Sequence, residues 1–185
     1  MRDSGKYEER NRKRIRTARF SLGSAATLAC AKFAIGILSG SLGVLSSAFD
    51  SMGDIFMSAV NFLSIRKSTD PADKTHPYGH GKVETLATVF QALVIAGTGM
   101  WVVLEGVRRL VEKRVPESAE AGIAVMSIAL VASWFIAKRI RKAGEETGST
   151  ALVADSLHFS TDVYTNAGIL ASLVVFRFTG WAWLD

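Results

Sequence analysis

Apolar residues along this chain fall into long blocks separated by short clusters of Lys, Arg, Asp and Glu. Crossing a hydrocarbon layer about 30 Å thick takes roughly 20 helical residues. Five blocks approach that length: Ala18 to Ser39, Leu42 to Ile65, Val83 to Val107, Ala121 to Ala137 and Ala151 to Phe178. The pattern therefore predicts an all-α integral membrane protein, a helical bundle with five transmembrane helices, preceded by a basic tail over residues 1–17. Between the second and third blocks, the polar segment Ser68 to Gly81 holds Pro71, Pro77, Gly79 and Gly81, so a loop is expected there.

Composition sharpens this picture. A mean hydropathy of +0.23 in a chain that is 21% charged requires the apolar residues to be segregated, which argues against one soluble core. The net charge of +5 arises mainly in the tail and two loops. Sixteen Lys and Arg flank one side of the predicted helices: eight from Arg2 to Arg19, then Arg66, Lys67, Lys74, Lys82, Lys138, Arg139, Arg141 and Lys142. Five, Arg108, Arg109, Lys113, Arg114 and Arg177, flank the other, which places the N-terminus in the cytoplasm. A basic stretch beside a membrane helix meets anionic lipid, so no nucleic-acid partner is expected. The long charged tail is unlike a cleavable signal peptide, and the first block is expected to remain as a helix in the lipid bilayer. Cys30 stands alone, which excludes an intrachain disulfide and a thiolate metal cluster.

Ionisable side chains inside apolar helices cost several kcal/mol and call for a reason. The second block contains Asp50 and Asp54, and the fifth His158 and Asp162, each pair spaced i, i+4 and so on one helical face. At about 1.5 Å per residue, Asp50 and Asp54 lie roughly 12 and 18 Å below one boundary. His158 and Asp162 lie roughly 10 and 16 Å above the other, so the pairs overlap near the midplane. Carboxylates gathered there repel unless a divalent cation joins them. Zinc accepts carboxylate oxygen and imidazole nitrogen, and a set without thiolates suits an ion that must leave again. The competing reading pairs these groups with a buried cation such as Lys32, which offers one charge against three carboxylates.

The loop carries a second constellation, in which Asp73, His76 and His80 lie within eight residues and Pro77 and the glycines can bend them toward one ion. Asp155, three residues before His158, is expected to be a solvated charge at a helix entry.

The Asp50 to Asp54 pair, the loop run His76-Pro77-Tyr78-Gly79-His80-Gly81-Lys82 followed by Glu84, and the His158 to Asp162 pair together resemble the cation diffusion facilitator family. Order and spacing match from about Arg12 to Asp185, so the transmembrane cation-efflux domain would occupy residues 18–185. The resemblance implies that Asp50, Asp54, His158 and Asp162 form the transport site for a divalent metal and that Asp73, His76 and His80 form a cytoplasmic loop site. It implies zinc as the transported ion, with Cd2+, Fe2+ or Mn2+ as alternatives; manganese is disfavoured by His158, since relatives that handle it tend to have Asn there. Members usually add a sixth helix and a cytoplasmic metal-binding domain that supports a homodimer, whereas this sequence stops at Trp183-Leu184-Asp185. A C-terminal truncation is the expectation.

The expected function is divalent metal efflux, with zinc leaving in exchange for protons, in a bacterial inner membrane. Protons are the natural counter-ion because they compete for the same ligands. The alternative is a truncated metal-binding or dimer-modulating membrane protein without transport of its own. An enzyme is not expected, because no HExxH pair or substrate cleft is evident.

Overall fold

A computed structural model describes residues 2–39, 42–112 and 119–179. Those residues form α1 (Arg2–Ser39), α2 (Leu42–Ser68), α3 (Lys82–Glu112), α4 (Ala119–Thr147) and α5 (Thr150–Thr179), and they contain no strand. The helix α1 packs along α2 and α4 along α5, while α1 meets α4, α2 meets α3 and α3 meets α5, closing a bundle.

Two helices run well beyond their apolar blocks. The segment expected as a tail is helical from Arg2, and α4 continues ten residues past Ala137 to Thr147. Hydropathy registers apolarity, whereas helicity needs only favourable local pairs. Arg12 and Glu8 pair at 3.8 Å on α1, and Arg141 and Glu145 pair at 2.9 Å on α4, each at i, i+4 spacing. The end of α4 has a defined cap. Gly148 takes a φ of 65°, and the Ser149 amide donates to the Gly144 carbonyl at 3.0 Å, the hydrogen bond of a Schellman turn. Ser149 then caps α5, its hydroxyl accepting the Leu152 amide at 3.3 Å.

The interior is built from small and polar residues. Ala18, Ala25, Ala137, Ala143 and Ala151 surround Ile65, Ile140, Leu152 and Phe159 in one apolar cluster, and Ser21, Ser51, Ser58, Asn61, Ser64, Ser133 and Gln91 are buried as well. Large apolar residues face outward instead, including Leu86, Leu93, Met100, Trp101 and Val103 along α3. Small side chains let backbones come close. A Cβ on Gly144 would sit 3.0 Å from the Val153 backbone nitrogen, so α4 and α5 touch there almost backbone to backbone.

Among the described residues, the segments Gly5–Leu38 and Lys82–Leu104 are long and apolar enough to cross a membrane by length and composition. Serine and ionisable residues such as Asp50, Asp54, Asp155 and Asp162 dilute the hydropathy of α2 and α5.

The close approach of α4 and α5 carries a test. Gly144→Leu should destabilise the protein by about 1–3 kcal/mol, the usual range for overpacking a filled contact. Gly23→Leu, whose Cβ would meet nothing within 4 Å, should be tolerated. Thermal unfolding of both variants in detergent distinguishes them.

Candidate metal centre

Asp54 sits mid-way along α2 and His158 in the third turn of α5, and the packing of these helices brings them together. The His158 Nε2 and Asp54 Oδ1 atoms lie 3.0 Å apart, an imidazole N–H donating to a carboxylate. Asp162, one turn further along α5, completes a group in which one ligand atom from each residue lies within 4.8 Å of the others. All three side chains are partly shielded. Two carboxylates and one imidazole at this separation can converge on one divalent ion with modest side-chain adjustment.

Asp50 stands apart. It is exposed, and its carboxylate is not among the atoms brought together, although it shares a helical face with Asp54. Four residues displace it about 6 Å along α2. Lys32 of α1 donates to the Ser51 hydroxyl at 2.8 Å and makes no ion pair within 4.0 Å with these aspartates among the described residues.

The loop group is also assembled. The Asp73 Oδ1 atom accepts from the Thr75 amide at 2.9 Å, the Thr75 hydroxyl at 2.7 Å and the His76 amide at 2.6 Å, an Asx turn that fixes the loop before α3. These bonds, the Thr75 hydroxyl foremost, hold the Asp73 carboxyl well below the usual carboxylate range. A tight turn follows, with the Gly79 amide donating to the His76 carbonyl at 2.9 Å and a Gly79 φ of 78°, a conformation suited to glycine. It folds His80 back so that the two imidazole centroids lie 4.5 Å apart and His80 Nε2 lies 3.5 Å from Asp73 Oδ2. That contact is too long and misaligned to be a hydrogen bond, and neither ring nitrogen of His80, a residue only 5% exposed, has a hydrogen-bond partner among the described residues. Unpartnered buried imidazole nitrogens beside a carboxylate fit a metal ligand set.

Sequence reasoning assigned no role to Glu84, yet it is the most connected side chain at this end of the bundle. Its Oε2 pairs with Arg14 of α1 and accepts from Ser68 of α2 at 3.3 Å. Its Oε1 accepts from the Ser149 hydroxyl at 2.6 Å and the Ala151 amide at 3.4 Å at the start of α5. One carboxylate thus ties together α1, α2, α3 and α5. The available signal was its place directly after the histidine loop, one turn beyond His80.

Asp155 corrects the sequence expectation. It is fully buried rather than solvated, with neither carboxylate oxygen hydrogen-bonded among the described residues. A position three residues before His158 puts it on the interior face of α5.

Comparison with known proteins identifies the family. The cation efflux transmembrane domain matches residues 18–185. Over 168 residues the chain is 37% identical to the cation-efflux pump FieF of Shewanella oneidensis, covering 91% of this chain and 56% of that protein. It is 38% identical over 136 residues to the FieF of Pectobacterium carotovorum, covering 74% and 45% respectively. An uncharacterized transporter of Synechocystis, sll1263, is 32% identical over 165 residues, covering 89% and 53%. The all-helical bundle carries this matched domain, and the chain belongs to the cation efflux family. It spans about half the length of the curated relatives it matches.

The Glu84 junction generates a prediction. Glu84→Ala leaves the largely buried Arg14 without its carboxylate and should cost about 3–5 kcal/mol, the range for breaking a buried pair. Adding Arg14→Ala should recover part of that loss, so denaturation of the two single variants and the double variant should give a non-additive cycle.

Proposed function

We propose that this chain is the membrane part of a divalent metal efflux transporter that moves zinc out of the cytoplasm in exchange for protons, through Asp54, His158 and Asp162. The observation that carries this reading is the convergence of those three ligands from α2 and α5 on one point inside the bundle. Asp50, on the same face of α2, joins the ion when the two helices shift relative to one another.

The exposure pattern supports a membrane setting. Serine, alanine and amides occupy the interior, and leucine, valine, methionine and tryptophan occupy the outside, which is how helices pack when the solvent is lipid. The five helices cross the bilayer with the N-terminus in the cytoplasm, supported by the excess of Lys and Arg on that side. The Asp73, His76 and His80 group then faces the cytoplasm, where a divalent ion first meets the protein. Its carboxylate stays ionised far into acid because three hydrogen bonds stabilise the charge.

Chemistry at the membrane group couples metal to protons. Zinc binds deprotonated carboxylates and a neutral imidazole, so protons arriving from the outer side displace it and proton loss on the inner side readmits it. An inward proton gradient then drives zinc outward.

Zinc flux into proteoliposomes, followed together with lumenal pH, tests the proposal. Asp54→Ala or Asp162→Ala should abolish flux while leaving the protein inserted, and an imposed pH gradient should accelerate the unmodified protein. Wild-type flux in either variant would contradict the site. Flux indifferent to the gradient would contradict antiport, and metal binding without any flux would favour a binding protein.

A further inference from the structure

Among the described residues, the largest concentration of buried polar atoms without hydrogen bonds lies one helical turn below the three-ligand group. Asp155 precedes His158 by three residues and Asp162 by seven, so all three occupy one face of α5. On α2, Ser58 and Asn61 follow Asp54 by four and seven residues and occupy the matching face. Ser21 of α1 closes the third side, its hydroxyl oxygen 3.4 Å from that of Ser58. Asp155, Asn61, Ser21 and Ser58 are all 0% exposed.

Ser21 and Asn61 lie near the Asp155 carboxylate. Even so, neither oxygen of Asp155 and neither amide atom of Asn61 makes a hydrogen bond of normal geometry. No Lys or Arg forms an ion pair with Asp155 among the described residues. A buried carboxylate left in this state is costly unless something else occupies the space beside it. Two carboxylate oxygens, an amide oxygen and two hydroxyls offer only oxygen donors, the set that holds a partly hydrated divalent cation loosely. The imidazole that gives zinc its preference belongs to the level above.

We propose that Asp155, Asn61, Ser21 and Ser58 form a second, weaker cation site, a stepping site between the cytoplasmic end of the bundle and the Asp54, His158 and Asp162 group. Its place toward the N-terminus of α5 puts it on the cytoplasmic side of that group. An incoming ion exchanges part of its water for these oxygens before the imidazole completes its coordination. The site rests on the transport reading for its direction, and on the buried oxygens alone for its existence.

Two measurements on the full-length protein test it. The first uses Mn2+ as the probe, followed by electron paramagnetic resonance, in a variant carrying Asp54→Ala, His76→Ala and His80→Ala, which removes the other two groups. Weak Mn2+ binding should persist there and fall at least tenfold on adding Asp155→Asn. The second follows zinc entry into proteoliposomes by stopped flow. Asp155→Asn alone should lower kcat/KM for zinc about tenfold or more while equilibrium zinc affinity changes less than about threefold, and Asp155→Glu should restore most of the rate. Mn2+ binding unaffected by Asp155→Asn would overturn the site. So would wild-type zinc entry in that variant, or an affinity loss as large as the rate loss. If the unmodified protein moves no zinc, the transport reading fails, and the Mn2+ measurement alone then decides the site.

Discussion

Ionisable side chains in an apolar bundle have to find one another, and most of this architecture follows from that constraint. Asp54 and His158 are separated by 104 residues yet share a 3.0 Å contact, and Asp162 lies close by. Each of the three would be expensive alone among the alanines, serines and aliphatic residues around it. Together they form a polar point whose charges a divalent ion can balance. The close backbone contact of α4 with α5 at Gly144 and the cap at Ser149 fix the start of α5, and so fix where His158 lies, about two and a half turns further on.

The second organising contact lies at the opposite end of that stretch of α5. Glu84 holds Arg14, Ser68, Ser149 and the Ala151 amide at once. It begins α3 directly after the loop that presents Asp73, His76 and His80, so the loop group and the root of α5 are attached to one another through a single helical turn. Between the two levels stand Asp155 and Asn61, buried with their polar atoms unpartnered. Polar groups thus continue along the bundle from the loop to the three-ligand group.

Much of this was legible in the sequence, for identifiable reasons. Apolar blocks near the length of a membrane crossing marked five helices, and i, i+4 spacing with overlapping depth marked Asp54, His158 and Asp162 as neighbours. The limits are equally physical. Helical periodicity says which residues share a face of one helix, but the crossing of two helices decides which of them meet, and here Asp50 stays outside. Apolarity does not mark the ends of helices stabilised by ion pairs, so α1 and α4 run further than the hydropathy indicated. Asp155 looked like an entry charge because it lies near the start of a block, whereas its place on the face of His158 was the better guide. Glu84 makes contacts with three other helices, and no local pattern encodes such contacts.

The central claim is that Asp54, His158 and Asp162 hold one divalent ion together. Zinc K-edge absorption spectroscopy on the His76→Ala, His80→Ala protein, loaded with one equivalent of zinc, tests it most directly. The account predicts a tetrahedral shell with one imidazole nitrogen near 2.0–2.1 Å and the remaining ligands oxygen, with that shell lost in Asp54→Ala and in Asp162→Ala. An all-oxygen six-coordinate shell, or a shell unchanged in Asp54→Ala and Asp162→Ala, would contradict it.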